Sequence, residues 1–218
     1  MSSAEQLIAA EPPVPFSDRG QEREASDLGM WVFLTTETLF FGVLFFAYVI
    51  ARLRFPEAFA AAGRHTDLVL GTINTAVLLT SSLTMALAVR AAALRRRRLG
   101  AIFLGVTAAL GIAFLSIKGF EYRSEYLQLL VPGADFRFDA VLRQGAALFF
   151  GLYFVMTGVH AVHLAIGIAI TGFIAVRLLR SGLAAQTPLS IEMAGLYWHF
   201  VDIVWILLYP ALYLIARS

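Results

Sequence analysis

The chain has 218 residues, of which 59% are apolar and 15% charged, with a mean hydropathy of +0.76. Ordinary soluble domains carry about 45–50% apolar and ~25% charged residues, so the composition argues against a water-soluble globule and for one helical bundle in lipid. The net charge of +2 lacks the excess of a nucleic-acid binder, and the absence of cysteine removes disulfides, thiolate metal sites, iron–sulfur clusters and cysteine nucleophiles.

Residues 1–28 read as a cytoplasmic N-terminal tail. They lack the basic start and apolar core of a signal peptide, and Glu11-Pro12-Pro13-Val14-Pro15 predicts a disordered or surface-hugging segment. Residues 29–218 read as one all-α membrane domain of five transmembrane helices. Met30–Ala51 is 22 residues with one charge, Glu37. Leu68–Val89 is 22 residues with none, and Leu99–Ile117 is 19 with none. Gln144–Val176 is 33 with none when its histidines are neutral, and Met193–Ala216 is 24 with one, Asp202. A crossing takes about 20 mostly apolar residues, and lipid demands that every backbone polar group be satisfied internally. The expected spans are 30–53, 68–94, 99–121, 145–177 and 191–216, the fourth a single tilted or protruding helix. The longest connection, around Tyr122–Arg143, leaves no extramembrane domain. Arg95 to Arg98 fill a very short loop, where basic residues weigh most on topology. We read that run as an orientation anchor rather than a nucleic-acid or lipid-headgroup patch, which places the N-terminus in the cytoplasm and the C-terminus outside.

Within the second span, Thr72, Ala76, Thr80, Thr84, Ala88 and Ala92 recur every fourth residue. Small residues let helix backbones approach closely in lipid, so this stripe predicts a helix–helix seam, with Asn74 bonded to a neighbour. Lys118 and Glu121, three apart, are placed to pair, with Lys118 snorkelling outward. The fourth span carries Tyr153, Met156, His160, His163, Gly167 and Ile170 on one face. The fifth carries Glu192, Gly195, His199, Asp202, Ile206, Tyr209 and Tyr213 in the same rhythm. Ionisable groups in a span avoid lipid, so both faces should point into the bundle. Pro210 is expected to bend the last helix.

Glu37 is the sharpest single feature: a carboxyl in a span is either a protonatable group at a cleft or a hydrogen-bonded link between helices. Its depth permits contact with His163 or His199. His160 and His163 form an H-x-x-H step. Imidazoles at that spacing can hold a metal or haem, or serve as interhelical donors. A self-standing His-ligated membrane cytochrome, and a small transporter built on Glu37, are competing readings. The transporter lacks the internal repeat and broken helices such proteins show.

Four segments in order resemble subunit III of the haem–copper respiratory oxidases, in its short five-helix bacterial form. They are Trp31-Val-Phe-Leu-Thr-Thr-Glu37, then Asn74-Thr with Ser81-Ser82, then Gly158-Val-His160-Ala-Val-His163, and Tyr197-Trp198-His199-Phe-Val-Asp202-Ile-Val-Trp205. The resemblance runs from about Gly29 to the C-terminus. It implies a non-catalytic subunit, without cofactor of its own, in a proton-pumping oxidase of the bacterial inner membrane that reduces O2 to water. Haem and copper are expected in the partner subunit I, with subunit II in the same complex and phospholipid bound in a cleft between helices. By the same resemblance Glu37 is the membrane carboxylate linked to proton supply. His160, His163, His199, Asp202 and Asn74 form an interhelical polar network, and Trp31, Tyr197, Trp198 and Trp205 are signature aromatics. No metal ligand, catalytic residue or nucleic-acid contact is implied. Cytochrome c is the expected donor, with a quinol oxidase or a nitric oxide reductase as the alternative setting. The sequence departs from the longer family form in having five spans rather than seven, and Ala161 stands where glycine is usual.

Overall fold

Apolar runs in lipid must become helices, and how those helices associate is decided by which side chains find partners across them. A computed structural model describes residues 19–133, 136–180 and 188–214. The proposed disordered stretch around Pro12–Pro15 and the terminal Arg217 lie outside the described residues. The chain runs through α1 (Arg19–Arg54), α2 (Pro56–Gly63), α3 (Leu68–Ala93), α4 (Arg97–Leu127), α5 (Arg143–Arg180) and α6 (Pro188–Tyr209). A π-helical turn, Pro210–Leu214, closes it. All but α2 are long and apolar enough to cross a membrane, and no strand occurs among the described residues.

Helix α1 begins at Arg19, inside the stretch read as tail. Glu22 sits in its first turn, where a negative charge suits the helix dipole, and Arg23 reaches Glu192 of α6 at 3.1 Å. Helix α2 was not anticipated. Pro56 starts it at the position proline favours, and Phe59 and Ala62 are fully buried against the bundle. Asp67 caps α3, its Oδ1 accepting from the N–H groups of Val69 and Leu70 at 2.9 and 3.0 Å. The α3–α4 turn places Arg95 at φ 55°, so that Arg96 N–H reaches the Ala91 carbonyl at 2.8 Å. Leu129, at φ 58°, closes α4 the same way, with Leu130 N–H donating to the Glu125 carbonyl at 3.1 Å.

Helices α3 to α6 form the packed bundle, with the most extensive contact between α3 and α4 and the next between α4 and α5. Trp198 and Trp205 of α6 lie at its centre with Phe114, Phe149 and Phe150. Each indole N–H is bonded, Trp198 to Ser81 Oγ and Trp205 to Thr75 Oγ1, both at 3.1 Å. Gly111 lets α4 and α5 close up: a Cβ there would lie 2.8 Å from Ile168. Helix α1 stands at the edge, with Leu39, Phe40, Val43 and Phe46 exposed and Phe41 and Tyr48 buried.

The small-residue stripe on α3 is a seam only in part: Ala88 is buried, Thr84 meets Thr107 of α4 at 2.7 Å and Thr72 meets Tyr209 of α6 at 2.7 Å. The buried face is Gly71, Asn74, Leu78, Ser81, Met85 and Ala88, whereas Thr72, Ala76 and Thr80 are exposed. At 3.6 residues per turn, a strict every-fourth row drifts about 40° per step and winds off the interface. The true seam alternates steps of three and four. Thr80→Leu is therefore expected to leave the chain's stability within about 0.5 kcal/mol of wild type, whereas Ser81→Leu, on the seam, should lower the melting temperature clearly. Equal melting temperatures for the two variants would contradict this assignment.

Candidate functional site

A cleft opens between α1, α5 and α6. Its volume is about 740 Å³, and Met30, Phe33, Ile166, Ile170, Phe173 and Tyr197 supply apolar walls. Arg177 lines it toward the end of the bundle that carries the Arg95–Arg98 turn, and Glu37 and His163 line it further along their helices. His163 Nε2 lies 3.1 Å from Glu37 Oε2, and the side chains are 16% and 21% exposed, so the pair is neither sealed nor free in solvent.

The second ring nitrogen decides what that contact is. His163 Nδ1 lies 2.9 Å from the Val159 carbonyl, which only accepts, so a hydrogen bond there takes the tautomer with hydrogen on Nδ1. Nε2 then bonds to Glu37 only if one proton lies between them. The acid donates to imidazole, or imidazolium donates to carboxylate. The structure thus sets a carboxyl and an imidazole within hydrogen-bond reach at a cleft wall. Tyr197 donates to the His163 carbonyl at 2.9 Å, and Phe41 packs edge-on to the His163 ring at 5.3 Å. Both hold the α5 segment that presents the imidazole.

The other polar residues do not join that pair. His199 Nδ1 meets Ser82 Oγ at 2.9 Å and stands 3.9 Å from Asp202 Oδ2. His160 is fully enclosed between Phe114 and Trp205, ring centroids 5.6 and 5.1 Å away, and neither nitrogen is bonded. Asn74 is buried, and its carboxamide has no hydrogen-bond partner, contrary to expectation. The residues read as one network are several separate sites, because each helix face meets a different neighbour along its length. His160 and His163, although three apart, serve different surroundings. Among the described residues, no group of three or more His, Asp or Glu side chains is placed to hold a metal. Of the signature aromatics, Trp31 is 63% exposed, while Tyr197, Trp198 and Trp205 are buried.

A second polar site was only half seen in the sequence. Lys118 pairs with Glu121 at 3.0 Å, but it points into the bundle and is buried, rather than snorkelling outward. Its ammonium also donates to Tyr153 at 3.0 Å and Tyr213 at 2.6 Å. Glu121 Oε1 accepts from both tyrosines. The π-helical turn after Pro210 positions Tyr213, and Tyr48 of α1 donates to the Ala211 carbonyl there at 2.6 Å. The signal was present: Lys118, Glu121 and Glu125 repeat the three-four rhythm of the other interior faces. Their inward direction depends on Tyr153 and Tyr213 from other helices.

Five helices long and apolar enough to cross a membrane, with a cleft lined by a carboxyl–imidazole pair, define a multi-pass helical membrane protein. The family model for cytochrome c oxidase subunit III matches residues 20–217, and the chain belongs to that family. The cytochrome c oxidase subunit 3 of Thermostichus vulcanus is 34% identical over 194 residues, 87% of this chain and 87% of the relative. A heme-copper oxidase subunit I+III of Aeropyrum pernix is 32% identical over 192 residues, which is 85% of this chain and 22% of the relative. A probable quinol oxidase subunit 3 of Staphylococcus saprophyticus is 30% identical over 206 residues, 91% of this chain and 92% of the relative.

Proposed function

We propose that this chain is the non-catalytic third subunit of a proton-pumping terminal oxidase in a bacterial inner membrane. It packs beside subunit I, which holds haem and copper, in a complex that includes subunit II. Cytochrome c is the electron donor. The relative that joins I and III in one chain supports the first partnership. The cleft takes a phospholipid, whose acyl chain suits the apolar walls and whose phosphate suits Arg177. Arginines around the Arg95–Arg98 turn keep that end cytoplasmic.

The observation that carries the proton-linked role is the 3.1 Å contact between Glu37 and His163 at the cleft. A group that shares a proton beside a cleft can take it up and release it where water reaches the rim. Glu37→Gln keeps a donor to Nε2 but cannot release that proton. Complex purified through a tag on this chain is expected to contain a larger haem-bearing subunit and to oxidise reduced cytochrome c. In that preparation Glu37→Gln should assemble normally and turn over as wild type at low pH. At high pH, where protons are scarce, it should fall severalfold behind. An unchanged pH profile makes the contact a packing feature. Turnover with quinol alone moves the donor assignment to the quinol oxidase reading favoured by the Staphylococcus relative. Haem retained by the isolated chain would instead favour the His-ligated cytochrome.

A further inference from the structure

The Lys118 cluster is complete without Glu125. All three ammonium hydrogens have acceptors in Glu121, Tyr153 and Tyr213. Glu121 in turn accepts from Lys118, Tyr153 and Tyr213. One turn further along α4, Glu125 is 3% exposed and neither of its carboxyl oxygens makes a hydrogen bond. Isolated buried charge is costly, and Lys118, already paired, is the single cation in the cluster. Two carboxyls and one ammonium leave the site short of one positive charge.

A cavity borders this place. Its volume is about 200 Å³, and it is lined by Glu121 and Glu125 together with His65, Asp67, Ser124 and Gln128. That volume holds roughly half a dozen waters at ~30 Å³ each. Its walls carry no lysine or arginine. Asp67 has one oxygen engaged in capping α3, and His65, exposed at the rim, rests edge-on against Phe138. The cavity lies where α3 begins and α4 ends, at the end of the bundle opposite the Arg95–Arg98 turn. Helix α4 has 31 residues, about 46 Å at 1.5 Å each. The hydrocarbon layer is about 30 Å thick, so the last turns of α4 can reach interfacial water.

We propose that Glu125 is a proton-exchange site, served by water through this cavity and independent of the Glu37–His163 pair. The missing positive charge is a proton from the aqueous phase at that end of the bundle. The ionisable groups around it are Lys118, Glu121 and Tyr122 on its own helix, Tyr153 on α5, Tyr213 on the π-helical turn, and His65 and Asp67 at the mouth. The Lys118–Glu121 pair holds the floor of the site in one arrangement, so that Glu125 alone changes its charge.

Infrared difference spectra of the purified oxidase complex, taken between two pH values in H2O and D2O, test this. Wild type is expected to show a protonated-carboxyl C=O band that follows pH and shifts in D2O. Glu125→Gln should lose that band and Glu37→Gln should keep it. A wild-type spectrum without such a band, or a band untouched by Glu125→Gln, overturns the proposal. If Glu125→Gln does not assemble, Glu125→Asp gives the same reading through a frequency shift, and an unshifted band overturns it. Repeating the measurement in sodium, potassium and choline salts separates the source of the charge. A band that sodium or potassium abolishes at constant pH means a metal cation fills the site, and the proton assignment fails.

Discussion

Replacing Lys118 with methionine is expected to destabilise the chain by about 3–5 kcal/mol, the range seen when one partner of a buried ion pair is removed. Methionine retains much of the length and flexibility of lysine, so the loss is of charge and donors more than of volume. Glu121 would keep its two tyrosine donors but stay buried without a cation, and Tyr153 and Tyr213 would each lose a charge-assisted contact. The double variant Lys118→Met, Glu121→Gln removes both charges together and should recover most of the loss, because a neutral pair in the same space avoids the uncompensated carboxylate. Thermal melting of the detergent-purified complex, followed by retention of this subunit, reads both. A single variant that melts with wild type, or a double variant no better than the single, would mean that the pair contributes little.

The second large effect is steric. Gly145, at the start of α5, faces the short helix α2, and a Cβ there would lie 2.5 Å from Ala58 Cβ and 2.9 Å from Phe55 Cβ. Those are atoms next to the backbone and cannot swing aside, so Gly145→Ala must push α2 away from α5. Overpacking of this kind typically costs about 1–3 kcal/mol. The same helix supplies its own control. Gly151 has nothing within 4 Å of an added Cβ, and Gly151→Ala should be neutral or stabilising by up to ~1 kcal/mol through helix propensity. Melting curves for the two variants should therefore diverge in opposite directions. If Gly145→Ala matches Gly151→Ala, α2 is not held against α5 as described.

The five crossings were legible because lipid imposes one rule on every segment: about 20 apolar residues with all backbone bonds internal. Glu37 and Asp202 were legible for the same reason, since each is the one charge in its run. The Lys118–Glu121 pairing followed from helix geometry alone. Inward or outward direction did not, because a flexible lysine stem reaches either way and Tyr153 and Tyr213 settle the choice from two other helices. The every-fourth stripe on α3 followed the seam only in part, because a sequence count of four and a helical turn of 3.6 drift apart, and only the neighbours show where the seam runs. Helix α2 escaped notice because eight residues of a connecting segment gain their order from burial of Phe59 and Ala62 against the bundle. Sequence by itself determined the membrane-spanning class and the family, through apolar length and ordered motifs. Tertiary packing alone decided which polar residues meet. It brought Glu37 to His163 and left His160 unbonded, because interhelical distance is not encoded in the spacing along any one helix.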